Sequence, residues 1–205
     1  YNYFYLLKYF GGVPIITVPL DTDSPELQKP RNSRYEVADL ILSDLQNAIS
    51  RLPKEQNIAT SDKGHISEQG AKAFKARVLL YEATWRKYNK TSTDYEGSAG
   101  PKSDQVNEFL EESISLSKDV LDDEVFRIWN HNNELDNLSS RYLFCLEDGS
   151  QTGGYGKDSN KEFIIYSVFD RVLNAGAFSL NNEMNYIYPT RKFIDMFVCT
   201  NGMPT

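Results

Sequence analysis

The stretch Ser67-Glu68-Gln69-Gly70-Ala71-Lys72-Ala73-Phe74-Lys75-Ala76-Arg77-Val78-Leu79-Leu80-Tyr81-Glu82-Ala83-Thr84-Trp85-Arg86-Lys87-Tyr88 decides the architecture. Ser67 is a residue type that opens helices, and the spacing predicts one continuous helix to about Tyr88. This helix is apolar on two faces. Ala71, Phe74, Val78, Tyr81 and Trp85 make one stripe, with Trp85 read as core; Ala73, Ala76, Leu80 and Ala83 make a second, mostly of small residues. A helix with two buried stripes lies between neighbours, and alanines let those neighbours approach closely.

The neighbours are visible on either side. Upstream, Ser33-Arg34-Tyr35-Glu36 is a capping box, with Ser and Glu at the spacing that lets each side chain bond the other's backbone N–H. Val37, Leu40, Ile41, Leu45, Ala48, Ile49 and Leu52 then share one helical face, and Pro53 ends the helix. Downstream, a Gly/Ser/Asn/Pro loop over 89–102 leads to a third helix, about 103–122, carrying Val106, Phe109, Leu110, Ile114, Val120 and Leu121. Such helices, joined by polar loops, point to stacked helical hairpins of tetratricopeptide type. No strict repeat of about 34 residues is present, so the units are degenerate.

Outside this block the signals are more local. Tyr3 to Phe10 reads as the end of a helix, stopped by Gly11-Gly12 with one glycine in the left-handed position after the last turn. Val13 to Pro19 is extended, because Pro14 and Pro19 forbid helix. Residues 126–161 are irregular, polar and glycine-rich. Phe163 to Phe169 reads as a strand, 170–189 as a loop, and Thr190 as the cap of a short helix with Phe193, Met196 and Phe197 inside. The fold class expected is mainly α: tetratricopeptide-like stacked helical hairpins with irregular loops and a short β element.

Composition narrows the function. Of 205 residues, 22 are Lys or Arg and 29 are Asp or Glu, giving a net charge of −7. Nucleic-acid binding is disfavoured, since neutralising phosphates requires a basic surface. The apolar runs Val13–Leu20 and Phe163–Phe169 fall far short of the ~20 residues of a membrane-spanning helix. Cys145 and Cys199 do not make a disulfide scaffold, although one bridge between them is open. The chain begins inside an aromatic run and closes on Asn201-Gly202-Met203-Pro204-Thr205, a turn signal. An internal piece of a larger protein is expected, so the missing signal peptide says nothing about location.

The search for chemistry returns no catalytic, metal or cofactor expectation. His65 and His131 have no partner at metal-binding spacing, and neither a helical zinc motif nor a CxxC occurs. Gly153-Gly154-Tyr155-Gly156 lacks dinucleotide-loop spacing. Asp148-Gly149-Ser150 with Asp158-Ser159-Asn160 lacks calcium-loop spacing. The carboxylate pairs Glu111-Glu112, Asp122-Asp123 and Glu147-Asp148 read as solvated faces. What remains is aromatic. Trp129 stands beside Asn130, Asn132 and Asn133, Tyr155 lies in the glycine loop, and Tyr186 and Tyr188 flank Ile187. Sugar rings bind by stacking a CH face on an aromatic ring while amides take the hydroxyls. Trp129, Asn130, Asn132, Tyr155, Tyr186 and Tyr188 are therefore the ligand-binding candidates. The competing reading of Trp129 is a side chain that packs its own loop.

Several segments resemble a known family. Tyr5-Leu6-Leu7-Lys8-Tyr9-Phe10-Gly11-Gly12-Val13-Pro14-Ile15-Ile16-Thr17 and Pro30-Arg31-Asn32-Ser33 resemble the segments that close one helix and open the next in SusD/RagB-type proteins. Gly70-Ala71-Lys72-Ala73-Phe74-Lys75-Ala76-Arg77-Val78-Leu79-Leu80-Tyr81 is similar to their alanine-rich helix. Asn160-Lys161-Glu162-Phe163-Ile164 is similar to one of their strands. Pro189 to Phe197, with Thr200-Asn201-Gly202-Met203-Pro204, resembles their Pro-Thr helix and following turn, although Asn201 stands where Asp is usual. The stretch 126–161 matches no family segment.

The resemblance implies a single SusD-like domain over 1–205, incomplete at both ends. Its helical-repeat scaffold covers 33–122 and its loop-rich ligand-binding subregion 126–189. It further implies a surface lipoprotein of Bacteroidetes, held on the outer membrane by a lipid anchor absent from this chain. Such a protein captures oligosaccharide or polysaccharide without catalysis and passes it to a SusC-like TonB-dependent transporter. The family's binding aromatics lie in variable loops, so no binding residue transfers. Two other functions stay open: a helical-repeat scaffold for a protein partner with no small-molecule site, and an α-helical glycosidase, which needs two carboxylates across a cleft.

Overall fold

The computed structural model describes residues 1–90, 100, 103–144, 146 and 153–166. The elements are α1 (Asn2–Phe10), α2 (Arg34–Arg51), α3 (Glu68–Asn89), α4 (Val106–Asp122) and a short α5 (Ser139–Tyr142). Residues Tyr1–Tyr166 form one compact unit. Helix α3 packs against α2 on one side and α4 on the other, and α1 packs against α2. The expected central helix is thus present, but its second face is displaced. The first face buries Val78 with Phe4, Leu7, Val37, Ala38 and Ile41, and the half-buried Phe74 and Tyr81 close its edge. The second is Leu79 and Ala83 against Phe109 of α4. Leu80, expected on that face, is 52% exposed. One residue turns a helix by about 100°, so Leu79 points at α4 and Leu80 points away.

The joint between α1 and α2 is built from backbone. Gly11 ends α1 at φ 69°, ψ −130°, and its N–H donates to the Leu7 carbonyl at 3.1 Å. This is positive φ, as expected, but an extended rather than a left-handed helical conformation. Gly12 lies against the chain entering α2: a Cβ there would stand 2.1 Å from the Asn32 carbonyl oxygen and 2.9 Å from the Arg34 nitrogen. Arg31 donates from Nε to the Gly12 carbonyl at 2.7 Å and from Nη2 to the Phe10 carbonyl at 2.6 Å. A cation on the last carbonyls of α1 also complements the helix dipole. The Asn32 side chain accepts from the Ile15 N–H at 2.9 Å, and the Tyr3 hydroxyl bonds both polar groups of Ile16.

Helix α2 opens with the expected capping box. Ser33 Oγ accepts from the Glu36 N–H at 3.2 Å, and the Ser33 N–H donates to Glu36 Oε2 at 2.8 Å. The backbone bond from Ser33 is the largest cause holding the Glu36 carboxyl below its ordinary value. With the folded value below the unfolded one, this contribution is complete above the unfolded pKa and is lost as pH falls through the folded one. Glu36→Gln is therefore expected to flatten the acid side of a urea-midpoint-versus-pH profile. An unchanged slope would contradict the assignment.

Charged side chains inside the helical stack are the feature its apolar pattern does not announce. Glu82 of α3 is wholly buried; its Oε2 accepts from Arg34 Nη2 at 2.8 Å and its Oε1 from Arg86 Nε at 3.0 Å. The Arg34 guanidinium carbon lies 4.0 Å from the Trp85 ring centre, and that of Arg86 lies 5.0 Å from Tyr35 and 4.7 Å from Phe109. Trp85, half-buried, therefore acts as a platform for a cation. Lys75 bridges α2 and α4, donating to Gln46 Oε1 at 2.8 Å and pairing with Glu112 at 2.5 Å. Gln69 accepts from the Glu55 N–H at 2.9 Å and donates to Asp123 at 2.6 Å, tying the start of α3 to the end of α4.

Two expectations need correction. No strand forms among the described residues; the β pairing present is an isolated bridge between Lys63 and His65. Phe163–Tyr166, expected to begin a strand, leaves Phe163, Ile165 and Tyr166 exposed, with no strand beside it among the described residues. The third helix begins at Val106, because Gln105 takes a left-handed conformation at φ 54°, ψ 17°. Cys145, Cys199, the rest of 163–169, the loop 170–189 and the helix expected from Thr190 lie outside the described residues.

Candidate functional site

Beyond α4 the chain builds a second, smaller core. Trp129, Leu135, Leu143 and Leu146 are buried together, with Tyr142 and Tyr155 packed against them. Local turns make this possible. The Asn130 side chain accepts from the Asn132 N–H at 3.1 Å, an Asx-type turn. The Asn132 side chain accepts from the Ser139 N–H at 3.1 Å, and Ser139 Oγ accepts from the His131 N–H at 2.8 Å. Asp136 and Asn137 take positive φ, which Asp and Asn tolerate better than other side chains.

Two segments distant in sequence meet at Trp129. Its backbone N–H donates to Glu162 Oε2 at 3.0 Å, and its indole N–H donates to Ser159 Oγ at 3.0 Å. Ser159 Oγ in turn donates to the Gly156 carbonyl at 2.6 Å. The Tyr155 ring meets Trp129 edge-on at 5.7 Å and lies over His131 at 3.9 Å, tilted 34°. Gly153, at φ 65°, lets the glycine loop turn against Leu135.

Four of the six candidates, Trp129, Asn130, Asn132 and Tyr155, therefore come together in one cluster. Tyr186 and Tyr188 lie outside the described residues. Trp129 is only 5% exposed, so its ring is a packing element and presents no open face for stacking. Asn132 spends its carbonyl oxygen on the start of α5. Asn130 stays exposed, as do Asn133 and Asn137, and Tyr155 is half-buried at the rim. His131, dismissed from the sequence for want of a metal partner, belongs to the aromatic stack. Among the described residues, no group of three or more His, Cys, Asp or Glu could hold a metal ion. No helix there is long and apolar enough to cross a membrane.

Residues 1–80 match the family model for SusD-like proteins, described as starch-binding and associating with the outer membrane. Over that segment the chain is similar to the SusD-like family. A SusD-like protein of Formosa agariphila is 38% identical over 81 residues, which are 40% of this chain and 15% of that protein. The solved structure of a SusD-like protein of Bacteroides fragilis has a TM-score of 0.57 at 21% identity, covering 98% of this chain and 34% of that one. That likeness is one of fold. A SusD-like carbohydrate-binding protein of the same organism gives a TM-score of 0.46 at 18% identity, over 67% of this chain and 22% of that one. The chain thus spans 15% of the length of its curated relative and about a third of its better structural match.

The SusD-like segment 1–80 includes the α1–α2 joint and most of the Ala-rich α3. Within it, Gly12, Arg31, Asn32 and Ser33 all serve backbone closure. The aromatic cluster, built from residues between 129 and 162, lies outside that segment.

Proposed function

We propose that this chain belongs to a non-enzymatic glycan-binding subunit at the cell surface. In this reading the subunit is held on the outer membrane by a lipid anchor and delivers oligosaccharide or polysaccharide to a SusC-like TonB-dependent transporter. The observation that carries the reading is the match of residues 1–80 to a family described as starch-binding and associating with the outer membrane. Capture requires only apolar stacking and hydroxyl hydrogen bonds on a preformed surface. The loop cluster fits that requirement: a buried Trp129 stiffens it from beneath, while Tyr155 and the amides of Asn130 and Asn133 line its outer side. Tyr186 and Tyr188 remain candidates of the same kind. A second reading, a helical-repeat scaffold that binds a protein partner, is favoured by the burial of Trp129, since it expects a packed tryptophan there.

Affinity electrophoresis against a panel of soluble polysaccharides separates the two. Retardation by at least one polymer is expected, and it should weaken in Asn130→Ala and Tyr155→Ala. Migration unaffected by every polymer would favour the scaffold. Trp129→Ala is a poor probe on its own, because it removes the core of the loop together with any binding.

A further inference from the structure

A cavity of about 330 Å³ opens where α3 ends and α4 begins, and its walls include Arg86, Lys87, Lys90, Asp104 and Asn107. Its size is at the small end of ligand pockets. Three of those side chains are cationic and one is anionic. Arg86 is 1% exposed, and its Nη2 is buried without a hydrogen-bond acceptor. A buried guanidinium N–H left unmatched is costly, so this one is poised for an acceptor. Its other contacts are spoken for: Nε donates to Glu82 and Nη1 to Gln105 Oε1 at 2.9 Å.

The charge balance favours the same ligand. Glu82 shares its one negative charge between two guanidinium groups, Arg34 and Arg86. Asp39 of α2 interacts with Arg86 but is itself exposed to solvent. Lys87 and Lys90 add exposed positive charge at the mouth. Helix α4 contributes its N-terminus, where first-turn N–H groups have no intrahelical acceptor. Gln105 provides no side-chain cap there, because its oxygen is committed to Arg86. Asp104 takes the Val106 N–H at 3.3 Å.

We propose that this cavity binds an oxoanion, the carboxylate or sulfate group of a small ligand, between Arg86, Lys87, Lys90 and the start of α4. It rests on the glycan reading only for the anion's source, which would be an acidic saccharide. Isothermal titration of the whole chain with sodium glucuronate and with sodium sulfate, at ionic strength fixed with chloride, tests it; glucose serves as the neutral control. Saturable binding of either anion is expected, with none for glucose. Lys87→Ala/Lys90→Ala, on the surface and outside the buried cluster, should weaken it about tenfold or more. Saturation by neither anion, or binding unaltered in the double variant, overturns the proposal. A chain that binds glucuronate in this way yet is retarded by no polysaccharide keeps the cavity and loses the glycan reading. One retarded by polysaccharides without saturable anion binding does the reverse.

Discussion

Glu82→Gln is expected to lower the unfolding free energy by about 3–5 kcal/mol, the effect of breaking a buried ion pair by removing one partner. The substitution keeps the shape of the side chain and removes only the charge. Arg34 and Arg86 then remain inside the stack as two cations with no carboxylate between them, since Glu82 bonds both at 2.8 and 3.0 Å. Both side chains are almost wholly buried, with their guanidinium groups against Trp85, Tyr35 and Phe109. Urea denaturation of the two proteins side by side measures the difference. A loss below about 1 kcal/mol, the worth of a surface pair, would mean that the cluster is solvated and the packing described is wrong. Replacing all three charges by apolar residues of similar volume should cost less than Glu82→Gln alone, because no charge is then stranded.

Gly12→Ala is the second large effect. A methyl group at this position would stand 2.1 Å from the Asn32 carbonyl oxygen and 3.0 Å from the Ser33 carbonyl carbon, and both obstacles are backbone. Neither can rotate away as a side chain could. The chain must open the α1–α2 joint, which carries the Arg31 bonds to Phe10 and Gly12 and the capping box of α2. A loss of about 3 kcal/mol or more is expected, at the upper end of overpacking effects. Gly11→Ala, whose Cβ would meet the Arg31 side chain at an ordinary 3.9 Å but at a positive φ, should cost less, about 1 kcal/mol or more from backbone strain. Thermal unfolding of the pair ranks them, and a Gly12→Ala protein as stable as the parent would contradict the close approach.

The helices were legible because their signals are local. The capping box at Ser33 and Glu36, the stop at Gly11 and the apolar face of α2 each depend on residues within a few positions of one another. The two-sided character of α3 was legible for the same reason, and so was its place between α2 and α4. Its second face was misassigned by a single residue, Leu80 for Leu79, since a run of neighbouring apolar side chains leaves the phase of a stripe open. Arg34, Lys75, Glu82 and Arg86 were not legible as interior residues. Charged side chains default to solvent, and what buries these is pairing between α2, α3 and α4. The one local hint was Glu82 and Arg86 a helical turn apart on a face that otherwise reads as apolar.

The loop cluster shows a different ambiguity. Asparagines beside a tryptophan suit a sugar, but Asn130 and Asn132 use the same oxygen atoms to turn their own backbone. Sequence alone does not separate those uses, because both need a short amide next to an aromatic ring. The contact of Trp129 with Tyr155 and the bond to Ser159 span too many residues for any periodicity to reveal. Hence the region was legible as a candidate site, while the part played by its most prominent residue was not.

The most direct measurement is nuclear magnetic resonance of the nitrogen-15-labelled chain, titrated with short oligosaccharides of the polymer that retards it most. If glycan is captured on the loop cluster, the amides of Asn130–Asn133 and Gly153–Gly156 shift in a saturable manner, while those at the buried faces of α2 and α3 stay in place. Shifts confined to the helical stack, or no saturable shift from any oligosaccharide, would contradict capture by this surface.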